Sequence, residues 1–223
     1  MLEWLPKSKY SQQKKQITTW FSERVKKQIE QEFNVNCFIY LTGSGKRKLV
    51  LHNDGVFDLD FQIWLSQSKK RKPNQNFEPE KIKLFIFNAF KEMLEKPEFW
   101  KLEDSTTAIT MKKLNEKISG GIEYSYDLVV VFKHPKTSES QVIKRTKNGS
   151  KFNYIWNKLS NEANDFEIKV KKIKELHMWK DLRDIYKNKK ITNLKNTSKT
   201  EYVPKKSYQL YIESVNEVFD KIQ

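Results

Sequence analysis

The chain has 223 residues, of which 37% are hydrophobic and 13% aromatic, so it carries enough apolar side chains to build a core. Its formal net charge is +15, and residues 133–223 hold most of the excess, with 21 Lys/Arg against 11 Asp/Glu. This composition excludes wholesale disorder and, because no apolar run approaches about 18 residues, a membrane-spanning helix.

The N-terminus and the cysteine content indicate the compartment. The first ten residues lack the apolar stretch of a secretory signal, so we expect a cytoplasmic protein. The single cysteine, Cys37, stands in an apolar run and is expected to be a small buried core residue. No internal disulfide is possible with one cysteine.

The first half of the chain alternates helical and strand patterns. Apolar residues recur every three or four positions over 11–33, which predicts an amphipathic helix with Ser11 as its N-cap. In chain order, we then predict a strand over 36–41, a Gly43-Ser44-Gly45 turn, a strand over 56–65 and a polar loop over 66–78 that holds the basic run Lys69 to Lys72.

The second half mixes the same patterns and ends in helices. A helix over 79–94 has Pro79 in its first turn, where proline fits well. The next predicted elements are strands over 106–111 and 122–132 joined through Gly120-Gly121, a polar hairpin or loop over 135–152, helix over 161–186, a linker over 187–206 and a last helix over 207–222. Mixed strands and helices predict an α+β fold.

The segment Phe57-Asp58-Leu59-Asp60-Phe61 suggests metal chemistry. Side chains alternate faces along a strand, so Asp58 and Asp60 point the same way while their apolar neighbours point into a core. Two carboxylates on one strand face repel each other, and a divalent cation removes that cost. Carboxylate oxygens are preferred ligands of Mg²⁺, and the spacing suits a two-metal centre.

A third carboxylate would complete such a centre. Asp127 stands at the head of the strongly apolar run that ends at Phe132, where an unpaired acid is costly to bury. Glu123, four residues earlier, is the alternative, because it also falls on the same strand face. The position at the start of the apolar run favours Asp127.

Gly43 and Ser44 form a candidate phosphate-binding turn. A glycine after a strand lets backbone amides approach a phosphate closely, and the serine hydroxyl can donate to a phosphate oxygen. A Gly-Ser-Gly segment alone is most often only a turn. The order of the elements gives it more weight: Gly-Ser, then Asp-x-Asp on a strand, then a helix, then Asp on a later strand.

That order resembles the nucleotidyltransferase superfamily that includes DNA polymerase beta, poly(A) polymerases and bacterial cyclic-oligonucleotide synthases. The matching positions are Gly43, Ser44, Asp58, Asp60 and Asp127, over roughly residues 15–135. The resemblance implies a mixed palm sheet flanked by helices, with a catalytic domain over 1–150 and a C-terminal helical region over 151–223.

The resemblance also implies roles for these residues. Asp58, Asp60 and Asp127 would be the catalytic, metal-binding carboxylates for Mg²⁺ or Mn²⁺, and Gly43 and Ser44 would hold the phosphates of a nucleoside triphosphate such as ATP. The product would be a nucleotidyl group on a hydroxyl, with RNA or a second nucleotide as the favoured acceptor. The chain departs from the family at Phe57, where a serine is common, and over 45–51, which is a poor helix start.

Two further interpretations stay open at this stage. A non-catalytic nucleic-acid-binding protein on the same fold would also be basic and aromatic, and surface lysines can equally be solvated filler. Trp156, Trp179 and Tyr186 could stack on a base, although core packing is the more frequent use of such side chains.

Overall fold

The computed structural model describes residues 2–67, 77–118, 121–133, 139–159, 164–197 and 203–222. The chain forms two compact units, Trp4–Leu159 and a smaller one made of Ser160–Gln223 with Met1–Glu3. Residue 150, where the sequence analysis divides the chain, lies at the turn of a strand hairpin inside the larger unit. The basic run Lys69 to Lys72 lies outside the described residues.

Helices and strands alternate along the larger unit. Its helices are α1 (Lys7–Trp20), α2 (Lys26–Phe33), α3 (Gly43–Arg47) and α4 (Pro79–Glu92), with a π-helical turn at Phe21–Val25 and a 3₁₀ turn at Pro97–Phe99. The short first strand β1 (Leu2–Trp4) has Leu2 and Glu3 in the smaller unit and only Trp4 in the larger one. The further strands of the larger unit are β2 (Val35–Leu41), β3 (Leu51–Asn53), β4 (Phe57–Gln67), β5 (Trp100–Asp104), β6 (Ala108–Leu114), β7 (Ile122–Lys133), β8 (Ser140–Asn148) and β9 (Lys151–Lys158).

A mixed sheet forms the centre of this unit. Within the described residues it has seven strands in the order β2-β4-β7-β6-β5, with β8 on β7 and β9 on β8. β4 and β7 are parallel, and the other pairs are antiparallel. The predicted α+β fold with a mixed sheet and flanking helices is confirmed.

Strand alternation decides which face of the sheet is buried. On β4, the odd-numbered side chains from Phe57 to Leu65 are all buried in the core. Helices cover this face with the apolar positions that the three- and four-residue spacing predicts, namely Ile17, Phe21, Val25, Ile29, Ile82, Ile86 and Phe90. Cys37 is fully buried, as expected. The even-numbered side chains of β4 therefore stand on the opposite face.

The helix α3 corrects one expectation from the sequence. The local sequence predicts a poor helix start after Gly43-Ser44, yet Gly43–Arg47 is helical and ends at Lys48, which has a φ of 58°. Tertiary contacts explain this outcome, because the Tyr10 hydroxyl donates to the Gly45 carbonyl at 2.9 Å and Leu49 is buried directly after the helix. Packing here overrides a weak local propensity.

The smaller unit is helical within its described residues. It contains α5 (Asn164–Glu175), α6 (Trp179–Asn196) and α7 (Ser207–Phe219). The predicted linker over 187–206 is wrong in its first half, because α6 continues to Asn196. The buried side chain of Asn193 explains the continuation, since it accepts from the Lys205 amide at 2.9 Å and donates to the Lys205 carbonyl at 3.1 Å.

Among the described helices, none has the length and apolar character needed to cross a bilayer.

Candidate active site

The two carboxylates of β4 lie on the face that the core leaves open. Asp58 and Asp60 alternate with the buried side chains of Phe57, Leu59 and Phe61, as the Asp-x-Asp spacing predicts. Asp58 is exposed and Asp60 is half-buried. Both acids therefore stand where a bound ligand could reach them.

Asp127 joins them from the neighbouring strand. β4 and β7 run parallel, and their register pairs Asp60 with Asp127 and Asp58 with Ser125. Because paired residues share a face of the sheet, Asp127 stands on the same face as both β4 carboxylates. Glu123 shares this face as well, but it lies beyond Asp58 and about 13 Å along β7 from Asp127.

The register extends this arrangement into two rows across the sheet. One row runs Glu103, Thr110, Asp127 and Asp60 across β5, β6, β7 and β4. The adjacent row runs Lys101, Lys112, Ser125 and Asp58. The three carboxylates therefore stand at the β7–β4 end of a polar strip.

Two hydroxyl groups hold the carboxylates. Ser125 donates a short hydrogen bond to Asp58. Thr110 donates to Asp127 with an oxygen–oxygen distance of 2.6 Å, and Ser105 lies 3.0 Å from the Thr110 hydroxyl. Sequence reasoning missed both donors. In the sequence each of them is a polar residue within an apolar strand. Only the strand register shows to which carboxylate each hydroxyl donates.

Burial and neighbouring charge act on Asp127 in opposite directions. Burial raises the pKa of Asp127 most, the hydrogen bond from Thr110 lowers it, and the nearby charge of Asp58 raises it further. The Lys112 charge lowers the same pKa. A carboxyl group that is costly to ionise and stands near another carboxylate gains from a bound cation.

Glu103 fixes the position of Lys112 in this strip. The two side chains form an ion pair at 2.6 Å, and Lys101 reaches the same carboxylate at 2.9 Å. The hydrogen bond from Lys112 is the main cause of the lowered pKa of Glu103, with a second from Lys101. The Lys112 ammonium group is thereby held near Asp127, whose pKa it lowers.

The Gly-Ser turn packs directly on Asp60. Gly43 has a φ of +55°, and a Cβ built on it would lie 2.9 Å from Asp60 Cγ and still closer to one carboxylate oxygen. The Thr42 amide donates to the Asp60 carbonyl at 2.8 Å, which fixes the turn against β4. Gly43 and Ser44 thereby begin α3 beside the β4 carboxylates. Only glycine meets both requirements at this position.

The donor set fits a hard divalent cation by its chemistry. Three carboxylates from two parallel strands share one face, and oxygen ligands of this kind suit Mg²⁺ or Mn²⁺. In the described part of the chain, no group of three His, Cys, Asp or Glu side chains is already gathered closely enough to hold a metal ion. The hydroxyl groups of Ser125 and Thr110 occupy oxygens of Asp58 and Asp127.

The aromatic side chains of the second half serve mainly in packing. Trp156 lies against Phe132, with a ring distance of 5.7 Å, and donates to the Phe77 carbonyl at 2.9 Å. Tyr186 is buried in the smaller unit. Trp156 and Tyr186 therefore both serve in core packing.

Several solved structures share this fold. The chain is similar to DncV of Vibrio cholerae in its 3′-deoxy ATP bound form, with a TM-score of 0.57 at 14% identity, over 96% of this chain and 52% of that one. For the 3′-deoxy GTP bound form the TM-score is 0.56 at 16% identity, over 86% and 47%. For the GTP bound form it is 0.55 at 14% identity, over 85% and 47%.

These likenesses concern architecture. At identities this low they show that the chain has the DncV nucleotidyltransferase fold. The chain spans about half the length of the structures it matches. No family model and no curated protein matches the sequence.

Proposed function

We propose that the chain is a metal-dependent nucleotidyltransferase, which moves a nucleoside monophosphate from a nucleoside triphosphate to a hydroxyl and releases pyrophosphate. The observation that carries this proposal is the register of the parallel strands β4 and β7, which sets Asp60 beside Asp127 and Asp58 beside Ser125 on one open face. The Gly43-Ser44 turn packed on Asp60 supports it.

In this proposal the residues of the chain divide the work. Asp58, Asp60 and Asp127 would hold Mg²⁺ or Mn²⁺, which would supply Lewis-acid activation of the acceptor hydroxyl and neutralise charge on the leaving pyrophosphate. Asp127 orients the acceptor hydroxyl, and Thr110 holds Asp127 in place. Gly43 lets the turn pack against Asp60, so that the turn lies beside the β4 carboxylates, and the Ser44 hydroxyl donates to a phosphate oxygen.

We infer a nucleotide or RNA as the acceptor. The net charge of +15 favours an anionic substrate over a neutral small molecule. Structures with the same fold carry bound nucleotides, GTP and 3′-deoxy ATP among them. That occupancy belongs to those proteins and supports nucleotide chemistry for this chain.

A second candidate is a basic nucleic-acid-binding protein without catalysis on the same fold. The observation in its favour is that the carboxylates are held by hydroxyls of the chain itself and no three metal-ligating side chains are gathered in the described part. This candidate predicts RNA binding that depends on salt, ignores Mg²⁺ and survives the change Asp58→Ala.

The test of the proposed function identifies the product. Each α-labelled nucleoside triphosphate is incubated with Mg²⁺ or Mn²⁺ and with total RNA or unlabelled nucleotides, and pyrophosphate and labelled products are measured. We expect pyrophosphate release that disappears in Asp58→Ala, with label transferred to an RNA or a nucleotide. Release that persists in Asp58→Ala would contradict the proposal.

A further inference from the structure

A cleft of about 790 Å³ opens beside the candidate active site, on the larger unit alone. Its floor continues the face of β4 that carries Asp58 and Asp60, because Gln62, Trp64 and Ser66 follow them at alternate positions. We call this surface the aromatic cleft. Its lining includes the rings of Phe38, Tyr40 and Trp64 beside several lysines.

Exposed aromatic rings form one wall of the aromatic cleft. Phe38 and Tyr40 are 46% and 52% exposed on the outer face of β2, and their rings stack at 6.4 Å. Tyr40 also meets Trp64 edge to face at 6.5 Å. The Lys26 ammonium lies over the Phe38 ring at 4.9 Å, so Tyr40 and Trp64 are the rings that offer π-surfaces to a planar ligand. Nucleobases are stacked in this way regardless of sequence.

The charges of the aromatic cleft have one sign. Four lysines line it, Lys14, Lys46, Lys48 and Lys133, and its lining includes no acid. Within the described part of the chain, none of the four lysines forms an ion pair with an acidic side chain. An occupant with flat rings and negative charge therefore complements this surface better than an apolar peptide does.

We propose that the aromatic cleft binds single-stranded RNA, with bases on Tyr40 and Trp64 and phosphates on the lysines. Its role as the path of the acceptor strand rests on the proposed function. Trp64 follows Asp60 by four residues on one strand, about 13 Å, which a stacked single strand covers in about four nucleotides. The same base-and-phosphate chemistry is available from a single nucleotide, which the experiment separates.

The experiment measures binding without catalysis. A fluorescent RNA ten-mer and, separately, labelled ATP are titrated by anisotropy in EDTA, so that neither turnover nor a metal contributes. The double variant Tyr40→Ala/Trp64→Ala is compared with Tyr40→Phe/Trp64→Phe, which keeps the rings. Phe99→Ala is the matched control, because Phe99 is 46% exposed outside the aromatic cleft. Thermal unfolding verifies that each variant is folded.

We expect the double alanine variant to weaken RNA binding by about tenfold or more, and the phenylalanine variant and Phe99→Ala to bind as the unaltered chain does. Lys48→Gln/Lys133→Gln should reduce the salt dependence of binding, by about 0.7 in logarithmic slope per lysine that meets a phosphate. Lys91→Gln, on the exposed face of α4, should leave the slope unchanged.

Two results would overturn the inference: no measurable binding of either probe, or equal binding by the double alanine variant. If ATP binds but the RNA does not, and the double alanine variant weakens ATP binding, the occupant is a single nucleotide that stacks on these rings. Asp60→Asn separates this inference from the proposed function. RNA binding retained in that variant supports the aromatic cleft even if no pyrophosphate is ever released.

Discussion

A side chain at Gly43 would collide with the carboxylate of Asp60, since its Cβ would lie 2.9 Å from Asp60 Cγ. Gly43 also has a φ of +55°, a backbone conformation that costs other residues about 1–2 kcal/mol. The turn after β2 and the strand β4 therefore fit together only with glycine at this position. This fit joins the candidate phosphate-binding turn to a candidate metal-binding carboxylate.

The change Gly43→Ala should abolish transferase activity, because the new methyl group displaces the Asp60 carboxylate. The measurement is pyrophosphate release beside a thermal unfolding curve. Gly149→Ala is the matched control, because Gly149 has a φ of +60° and a Cβ added there would meet nothing within 4 Å. Backbone strain should lower the free energy of unfolding of both variants by about 1–2 kcal/mol, but only Gly43→Ala should lose activity. Equal activity in the two variants would contradict this account.

The change Thr110→Val should move the acidic limb of the pH–rate profile to higher pH. The Thr110 hydroxyl donates to Asp127 at 2.6 Å and lowers the pKa of that carboxyl. Its loss leaves the raising effects of burial and of Asp58, so the carboxylate protonates at higher pH and activity fails earlier on acidification. Thr146→Val, which removes an exposed hydroxyl bonded to the Asn153 carbonyl, is the control and should leave the profile in place.

The change Asp127→Asn should raise thermal stability at pH 7 and abolish transfer. Burial raises the pKa of Asp127 above its value in the unfolded chain, so the ionised form destabilises the fold above the folded-state pKa. That penalty shrinks as the pH falls through the folded-state pKa and is gone below the pKa of the unfolded chain. We expect the variant to melt above the unaltered chain at pH 7, with a smaller difference in acid.

Mg²⁺ should reduce the difference in melting temperature between Asp127→Asn and the unaltered chain. A cation bound by the carboxylates stabilises the folded state of the unaltered chain by mass action, and Asp127→Asn should respond less to it. Melting curves of both proteins with and without Mg²⁺ test this expectation. An identical rise in both would show that the cation binds elsewhere.

The sequence predicts some parts of this site and not others, for physical reasons. Period-two alternation places Asp58 and Asp60 on one face, because the buried Leu59 lies between them and the buried Phe57 and Phe61 flank them in the sequence. Thr110 and Ser125 could not be assigned to their acids, since strand register depends on contacts between distant segments. Their roles became visible only with the pairing of β6, β7 and β4.

Two other features depend on tertiary contacts in the same way. The helix α3 has weak local propensity and is held by Tyr10, 35 residues earlier in the chain. The wall of Phe38 and Tyr40 follows from alternation along β2, with Val35 and Cys37 buried between exposed positions. Their proximity to Trp64 depends on the β2–β4 register, in which Phe38 pairs with Trp64.

The change Lys83→Met should destabilise the larger unit by about 3 kcal/mol. The Lys83 side chain is 1% exposed, pairs with Asp104 at 2.7 Å and donates to the Ser105 carbonyl at 2.6 Å. Its removal leaves the Asp104 carboxylate short of one buried cation. Lys81→Met is the control, because its pair with Glu78 is exposed and should contribute less than about 1 kcal/mol. The measurement is the free energy of unfolding of the two variants in urea. An equal decrease in both variants would contradict the prediction.

Pyrophosphate release by the unaltered chain, by Asp60→Asn and by Asp54→Asn, with each nucleoside triphosphate and Mg²⁺, decides whether the open face of β4 and β7 is a transferase site. Both variants replace a carboxylate by an amide of the same shape. Asp54 stands in the exposed turn before β4, and its φ of 50° suits asparagine. We predict release by the unaltered chain and by Asp54→Asn, and none by Asp60→Asn. Equal release by all three proteins would contradict the account.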